Sequence, residues 1–290
     1  MEVALLFLLI IGLLLVGVPI AVALGLSSIL FLLVFSDSSL ASIAQTLFSA
    51  FEGHYTLLAI PFFILASAFM STGGVARRII RFSIACVGHF PGGLAIAGVF
   101  ACMMFAALSG SSPATVVAIG TIVIAGMRQV GYTKEFAAGV ICNAGTLGIL
   151  IPPSIMLVIM ADLLSRSVGN LFVAAIIPGF MLSGMYLIYI LILCSFRPKL
   201  APKLPARMGP QDWAAYGIML LRSFVPPVFL IACVLGSILA GLATPTEAAG
   251  VGALGAVILA LLNLVLLPGL GVKEMHFEGE AKIDLGTADE

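Results

Sequence analysis

The sequence has very little charge. Only 9% of its 290 residues are Asp, Glu, Lys or Arg, whereas 62% are hydrophobic and the mean hydropathy is +1.25. Residues 82–127 and 248–272 contain no charged side chain at all. Because a bilayer core about 30 Å thick needs roughly 20 apolar helical residues per crossing, several crossings are available. The composition excludes an ordinary soluble domain and predicts an all-α, polytopic integral membrane protein.

Residues typical of catalytic and metal sites are also scarce. The five cysteines lie singly in apolar runs without metal-ligand spacing, and the three histidines are scattered. Buried cysteines of this kind are more often small hydrophobic residues than ligands. The sequence has no paired carboxylates within an apolar stretch and no phosphate-binding loop. We therefore predict that the chain is not an enzyme, carries no cofactor and binds no nucleic acid.

The N-terminal apolar stretch covers residues 3–35 and has no basic segment before it. We interpret it as retained membrane helix rather than a signal peptide. A helix of this length would rise about 50 Å, which is too long for one untilted crossing. Gly17-Val18-Pro19 divides it, and the sequence is compatible with two short helices or one kinked helix. Residues 56–71 are the next predicted crossing.

Clusters of basic residues indicate which segments share a side of the membrane. They occur at 77–81, 128–134 and 197–207, and positive residues in short loops mark the cytoplasmic side. The apolar segment 92–127 is flanked by two of these clusters, so both of its ends are expected on the same side of the membrane. Its centre is the uncharged SGSSP, 109–113. We favour a re-entrant helical hairpin that ends inside the protein over two full crossings.

A second interruption, NAGTLGILIPPS at 143–154, falls within the next predicted helix, 134–163. Gly145, Thr146 and Gly148 are expected to loosen the helix, and Pro152 and Pro153 remove two N–H donors. The carbonyl oxygens left unpaired need a partner, and hard cations bind oxygen ligands at such unwound backbone. A simple kink needs only one proline. Residues 170–195 are the predicted return helix.

The SGSSPAT turn, 109–115, has two possible roles. With Ser112 as cap and Pro113 in the first turn, the N-terminus of the second arm faces the tip, where the Ser109 and Ser111 hydroxyls and Gly110 also lie. This arrangement suits a carboxylate or a sodium ion. The alternative is a tight turn between closely packed helices. Taken with the second interruption, an ion and substrate cavity is favoured.

The C-terminal part contains a predicted helix start. Thr244-Pro245-Thr246-Glu247 has the form of a capping box with proline in the first turn. Glu247 is the only carboxylate in the last apolar region, which would otherwise make it a candidate proton relay. We favour the structural cap. Around it we predict an interfacial helix at 211–222 led by Trp213, crossings at 226–240 and 244–267, and a disordered polar tail at 268–290.

Several motifs occur together in a particular order. They resemble the large membrane subunit of the tripartite ATP-independent periplasmic (TRAP) transporters, the DctM type, from about residue 12 to about residue 261. The motifs are LLAIPFFILASAFMSTGGVARRI (57–79), FPGGLA (90–95), SGSSPATVVAIG (109–120), GYTKEFAAGV (131–140), AGTLGILIPPSIMLVI (144–159), IPGF (177–180) and GLATPTEAAGV (241–251).

The resemblance implies a sodium-coupled importer of small organic acids such as C4-dicarboxylates, moving in an elevator fashion in the bacterial inner membrane. It also implies two partners, a small four-helix membrane subunit and a periplasmic binding protein. The implied substrate and ion contacts are Ser109, Gly110, Ser111, Ser112, Asn143, Gly145, Thr146, Gly148, Pro152 and Pro153. Of these, Ser109, Ser112, Gly145 and Gly148 are the expected sodium-binding residues.

The second half of the sequence departs from the pattern that the resemblance implies. The family has two inverted repeats, each with a hairpin and an unwound helix. Here residues 1–210 correspond to the first repeat and 211–267 to the start of the second, while no second hairpin is evident and the tail has no counterpart. Two other hypotheses therefore stay open. One is a truncated or split permease without transport activity alone, and the other is a membrane scaffold that retains the fold.

Overall fold

The computed structural model describes residues 2–35, 39–49, 52, 55–72, 74–197, 200–202 and 213–265 of the 290-residue chain. These residues form helices and no strands, as the composition predicts. The described residues up to Tyr55 form one compact unit, and those from Thr56 onward form another. The predicted tail at 268–290 and most of the basic loop after Arg197 lie outside the described residues.

The first unit contains two apolar helices that pack against each other, and a third, shorter helix. The break between the first two follows Leu15, where Gly17 has a φ of 88° and Pro19 precedes the next helix. Residues 3–35 therefore form two helices, which settles the alternative that the sequence left open. Each is about 21–24 Å long, less than the thickness of a bilayer core. They are α1 (Glu2–Leu15), α2 (Ile20–Phe35) and α3 (Leu40–Ser49).

The second unit is built around a helix that is buried on every face. This helix, α6, carries no charged residue, and most of its side chains are inaccessible. A helix that is apolar all round is expected at the centre of a bundle. The second unit consists of a 3-10 turn (Tyr55–Leu58), α4 (Ala59–Thr72), α5 (Val75–Val87), α6 (Gly93–Ser109), α7 (Ser112–Gln129), α8 (Lys134–Gly145), α9 (Leu147–Leu150), α10 (Ile155–Leu163), α11 (Val168–Phe196), α12 (Trp213–Leu239) and α13 (Pro245–Val265).

Three helical segments among the described residues are long and apolar enough to cross a membrane. They are Tyr55–Thr72, Val168–Phe196 and Pro245–Leu262. A fourth crossing results if Lys134–Leu150 and Ile155–Leu163, which are bent by 43° at their junction, count as one span. The structure thus has the apolar helices expected of a polytopic membrane protein.

Helix α5 is amphipathic, as its sequence predicts. Val75, Ile79 and Phe82 are buried, whereas the intervening arginines are only partly covered. Phe82 stacks on Phe224 of α12, with ring centroids 4.7 Å apart. The apolar face of α5 therefore contributes to the main core, and its basic face does not.

The prediction for the segment after residue 211 was wrong in one respect. An interfacial helix at 211–222 and a separate crossing at 226–240 were expected, but α12 continues without a break from Trp213 to Leu239. Pro226 and Pro227 lie inside it. Proline removes an N–H donor and favours a kink, but apolar surroundings make a complete loss of helical hydrogen bonds costlier still.

Helix α13 begins with reciprocal hydrogen bonds between Thr244 and Glu247. The Thr244 amide donates to the Glu247 carboxylate over 2.8 Å, and the Glu247 amide donates to Thr244 Oγ1 over 3.3 Å. These are the two bonds of a capping box. Beyond the cap, Ala249, Gly252 and Ala256 are small enough to let α13 pack closely against neighbouring helices.

Candidate functional site

The turn between α6 and α7 consists of Gly110 and Ser111. Gly110 ends α6 in the left-handed region, with a φ of 60°, and donates its N–H to the Ala106 carbonyl over 2.9 Å. Ser111 is extended, and α7 begins at Ser112. The prediction that Ser112 caps α7 was therefore wrong. The cap is the last residue with extended backbone, which is Ser111, and no side chain caps this helix.

The hydroxyl groups of this turn bond mainly to one another. Thr115 Oγ1 donates to the Ser111 carbonyl over 2.8 Å and lies 3.0 Å from Ser109 Oγ. Ser109 Oγ also lies 3.4 Å from both the carbonyl oxygen and the amide nitrogen of Ser111, so the two hydroxyls and the Ser111 backbone form one network. Both side chains are fully buried. Ser112 differs, since its Oγ is buried and has no hydrogen-bond partner.

The second interruption is shorter than predicted. Gly145 and Gly148 remain helical, because α8 ends at Gly145 and α9 follows after Thr146 alone. The break is confined to residues 151–154. Of the three residues predicted to loosen the helix, only Thr146 leaves it, and its N–H bonds to the Asn143 carbonyl three residues back. Gly145 and Gly148 stay helical, since glycine costs a helix only about 1 kcal/mol whereas proline also removes a donor.

The two prolines deprive two carbonyls of their helical donors. Residues 152 and 153 would donate to the carbonyls of Gly148 and Ile149 in a continuous helix, but proline has no N–H. Ser154 compensates at one of these positions, because its hydroxyl donates to the Ile149 carbonyl over 2.8 Å. Pro152, Pro153 and Ser154 are all buried.

The two interruptions contact each other through their backbones. The Ile155 N–H donates to the Gly110 carbonyl over 3.2 Å. A Cβ atom at Gly110 would lie 2.8 Å from the Pro153 oxygen, and one at Gly148 would lie 2.8 Å from the Ser111 oxygen. Only glycine permits these approaches. We call this set of five residues, Gly110, Ser111, Gly148, Pro153 and Ile155, the tip contact.

A second group of polar atoms is exposed on α8 and the residue after it. Asn143 and Thr146 are both exposed, and Asn143 Nδ2 donates to the Gly139 carbonyl over 2.8 Å. Thr146 Oγ1 donates to the Asn143 carbonyl over 2.7 Å and lies 3.2 Å from the hydroxyl of Tyr186 on α11. We call Asn143, Thr146 and Tyr186 the polar face.

The structure thus divides the predicted site residues. Ser109, Gly110 and Ser111 meet Gly148 and Pro153 at or beside the tip contact. Ser112 joins them, since its amide nitrogen would lie 2.8 Å from a Cβ at Gly148 and its carbonyl oxygen 3.7 Å from one at Gly145. Asn143 and Thr146 belong to the polar face instead.

Ile155 of the tip contact was missing from the predicted set, as were Tyr186 of the polar face and two residues beside the tip contact, Thr115 and Ser154. Thr115 lies four residues after Ser111, a spacing that places its hydroxyl beside the Ser111 carbonyl in a helix. Ser154 directly follows the two prolines, where free carbonyls are expected. Tyr186 has no comparable local signal, since its role depends on the packing of α11 against α9. None of the predicted residues or these four carries a charged side chain at neutral pH.

Comparison with known proteins identifies relatives of the whole described region. Residues 7–287 match the family model for the tripartite ATP-independent periplasmic transporter, DctM component. The match therefore extends into the tail, and the expectation that the tail has no counterpart in the family was wrong. The C4-dicarboxylate TRAP transporter large permease protein DctM of Vibrio cholerae is 62% identical over 258 residues, which cover 87% of this chain and 54% of that protein. Its counterpart in Pseudomonas aeruginosa is 53% identical over 82% of this chain and 54% of that protein.

More distant relatives have other names. The sialic acid TRAP transporter large permease protein SiaM of Vibrio cholerae is 32% identical over 89% of this chain and 59% of that protein. The chain spans about half the length of the curated relatives it matches. With a family match over nearly its full length and relatives well above 30% identity, the chain belongs to the DctM family of TRAP transporter large permeases.

Proposed function

We propose that this chain is the large permease subunit of a sodium-coupled TRAP transporter that imports small organic acids, with C4-dicarboxylates as the first substrates to test. Its family and the names of its relatives support this assignment. In this proposal it lies in the bacterial inner membrane. It acts with a small four-helix membrane subunit and a periplasmic binding protein that delivers the substrate.

The observation that carries the proposal is the tip contact. Two interruptions in apolar sequence meet where the Ile155 N–H bonds to the Gly110 carbonyl. Lipid cannot satisfy free backbone groups, so interruptions of this kind are tolerated inside protein or beside a wet cavity. In this proposal α6 and α7 form a re-entrant hairpin, and α8 to α10 form one broken membrane span.

The coupling ion is expected beside the tip contact. Sodium is a hard cation that binds carbonyl and hydroxyl oxygens. The fit is favourable, because the buried Ser112 Oγ has no partner and the Gly148 carbonyl lacks its helical donor. Ser109 is a weaker candidate, since its hydroxyl bonds to Thr115. Ser112 and Gly148 are therefore the proposed sodium-binding residues that the geometry favours, and Gly145 is retained because it lies beside the Ser112 carbonyl.

The substrate is expected at the polar face. An exposed amide and hydroxyl within an apolar span are unfavourable against lipid, so they need water, a ligand or a polar partner. The face carries no charge of its own. It therefore suits recognition of a carboxylate by neutral hydrogen-bond donors, with sodium supplying the positive charge.

Uptake in reconstituted vesicles tests the proposal. The chain is incorporated with the small membrane subunit, and the binding protein is loaded with radiolabelled succinate outside. We expect uptake that requires an inward sodium gradient and is lost when choline replaces sodium. Sodium-independent uptake would contradict coupling, and no uptake under any gradient would favour a scaffold.

A matched pair of glycine variants links this activity to the tip contact. Gly148→Ala places a methyl group 2.8 Å from the Ser111 backbone, so we expect sodium-dependent uptake to be lost. Gly139→Ala is the control, since a Cβ there meets nothing within 4 Å and alanine favours a helix. Equal uptake by both variants would exclude the tip contact from the transport site.

A further inference from the structure

Helix α11 holds the short helix α9 at two points. A Cβ at Gly179 would lie 3.2 Å from Ile151 Cγ1 and 3.7 Å from the Leu150 oxygen, so the end of α9 packs directly on α11. At the other end, the Tyr186 hydroxyl lies 3.2 Å from Thr146 Oγ1. Tyr186 is half-buried, and its ring packs against the main core. Its hydroxyl is therefore fixed beside the exposed residues of the polar face.

The direction of the hydrogen bond between Tyr186 and Thr146 follows from their other contacts. Thr146 has one hydroxyl proton, and it is directed to the Asn143 carbonyl over 2.7 Å. Thr146 Oγ1 therefore accepts, and Tyr186 donates. Hydrogen bonds between hydroxyls usually measure 2.5–3.0 Å, so a separation of 3.2 Å indicates a weak bond. The Tyr186 proton is available to a stronger acceptor.

Asn143 supplies a second available donor on the same face. One N–H of its side-chain amide is directed to the Gly139 carbonyl, which leaves the other without an intrahelical role. Asn143 and Thr146 are three residues apart, so they are neighbours on one helical face. A carboxylate group has two oxygens and accepts hydrogen bonds only. The face thus offers two neutral donors to a two-oxygen acceptor.

We infer that Tyr186 determines specificity for the substrate's carboxylate, its hydroxyl turning from Thr146 to a carboxylate oxygen when substrate binds. This inference rests on the proposed function and adds a residue to it. Asn143 donates to the second oxygen. When substrate is absent, Thr146 Oγ1 accepts a hydrogen bond from the Tyr186 hydroxyl. This bond satisfies the Tyr186 hydroxyl, which would otherwise face an apolar environment.

The exchange predicts effects of opposite direction for the two partners. Tyr186→Phe removes the donor and keeps the ring, so we expect KM for succinate to rise by about tenfold to a hundredfold. Thr146→Val removes the competing acceptor, so we expect KM for succinate to fall below the wild-type value. The backbone at this position should keep its conformation in that variant, because the Thr146 N–H bonds to the Asn143 carbonyl over 3.1 Å and this bond does not involve the side chain. If the hydrogen bond between Tyr186 and Thr146 were only structural, KM for succinate would rise in both variants.

The experiment measures succinate KM and the half-saturating sodium concentration in the reconstituted complex. Tyr189→Phe is the matched control, because Tyr189 lies on the same helix with 63% of its surface exposed, and its KM should stay within about twofold of wild type. A raised succinate KM in Tyr186→Phe with unchanged sodium dependence supports the inference.

Two results would overturn it, and they are distinct from failure of the proposed function. Wild-type uptake with an unchanged KM in Tyr186→Phe would overturn the specificity role alone. So would equal increases in KM in Tyr186→Phe and Thr146→Val. Absence of succinate uptake by the unmodified chain would overturn the proposed function and this inference with it.

Discussion

The hydroxyl groups beside the tip contact and those of the polar face differ in how their polar atoms are used. At the turn between α6 and α7, the hydroxyls of Ser109 and Thr115 are fully buried and bonded to each other. On the polar face, Asn143 and Thr146 are exposed, and their bonds are to local carbonyls. Burial of a polar group requires a partner, whereas exposure leaves capacity for a ligand. Under the proposed function, the first region maintains geometry and the second contacts solute.

The largest effect is expected where backbone conformation and contact distance both require glycine. Gly110→Ala forces a side chain into the left-handed region, which costs about 1–2 kcal/mol, and adds a contact of 2.8 Å with the Pro153 oxygen. We expect a loss of stability of about 2–5 kcal/mol in all, measured by thermal unfolding of the purified protein in detergent.

Gly241→Ala separates the two contributions to that loss. Gly241 has a φ of 69° but no atom within 4 Å of its Cβ position, so only the conformational cost applies. We expect its melting temperature to fall by less than that of Gly110→Ala. Equal decreases would mean that the Pro153 backbone moves aside freely, and the tip contact would then not be rigid.

A smaller effect is expected for the buried hydroxyl network. Thr115→Val preserves the shape of the side chain but leaves Ser109 Oγ without its 3.0 Å partner. We expect a loss of about 0.5–1.5 kcal/mol, the net contribution of one hydrogen bond, because Ser109 Oγ keeps only its longer contacts of 3.4 Å with the Ser111 backbone. Thr121→Val on the same helix is the control, since its hydroxyl is exposed and bonds only to the Val117 carbonyl. If both variants unfold at the same temperature, the network does not stabilise the turn.

The smallest effect on stability is expected on the polar face. Asn143→Ala removes an exposed amide whose one bond is to a carbonyl of its own helix, so unfolding should change by no more than about 0.5 kcal/mol. In contrast, KM for succinate should rise, because a proposed carboxylate donor is lost. A large drop in the melting temperature of Asn143→Ala without any change in its KM for succinate would mean that the polar face maintains structure and does not contact the substrate.

Much of the fold could be predicted because each signal was local. The apolar runs predicted α4, α6, α11 and α13, and the basic clusters predicted that the arms of 92–127 are neighbours. The Thr244–Glu247 sequence predicted the helix start that the hydrogen bonds display. Patterns of this kind need no knowledge of distant contacts, so a single sequence is enough to recognise them.

The details that could not be predicted depend on three-dimensional packing. The extent of the break after Leu150 was overestimated, because glycines that read as helix breakers are held in α8 and α9 by close contact with Val116 and Ser111. The continuity of α12 through Pro226 was missed because proline usually ends or kinks a helix, and the sequence alone does not show that the helix continues. Tyr186 could not be assigned to the site, since its partner Thr146 lies on another helix and only the fold brings them together.

The link between Ile155 and Gly110 is made by peptide groups alone, and this has an evolutionary consequence. The side chain at 155 has no part in the bond, so the bond itself places no demand on it, although the Ile155 side chain also packs against the buried cluster that contains Phe172. Proline is the exception, because it has no N–H to offer. Sequence change at 155 is therefore limited by packing and by the exclusion of proline, and the link between the two interruptions survives any other substitution there.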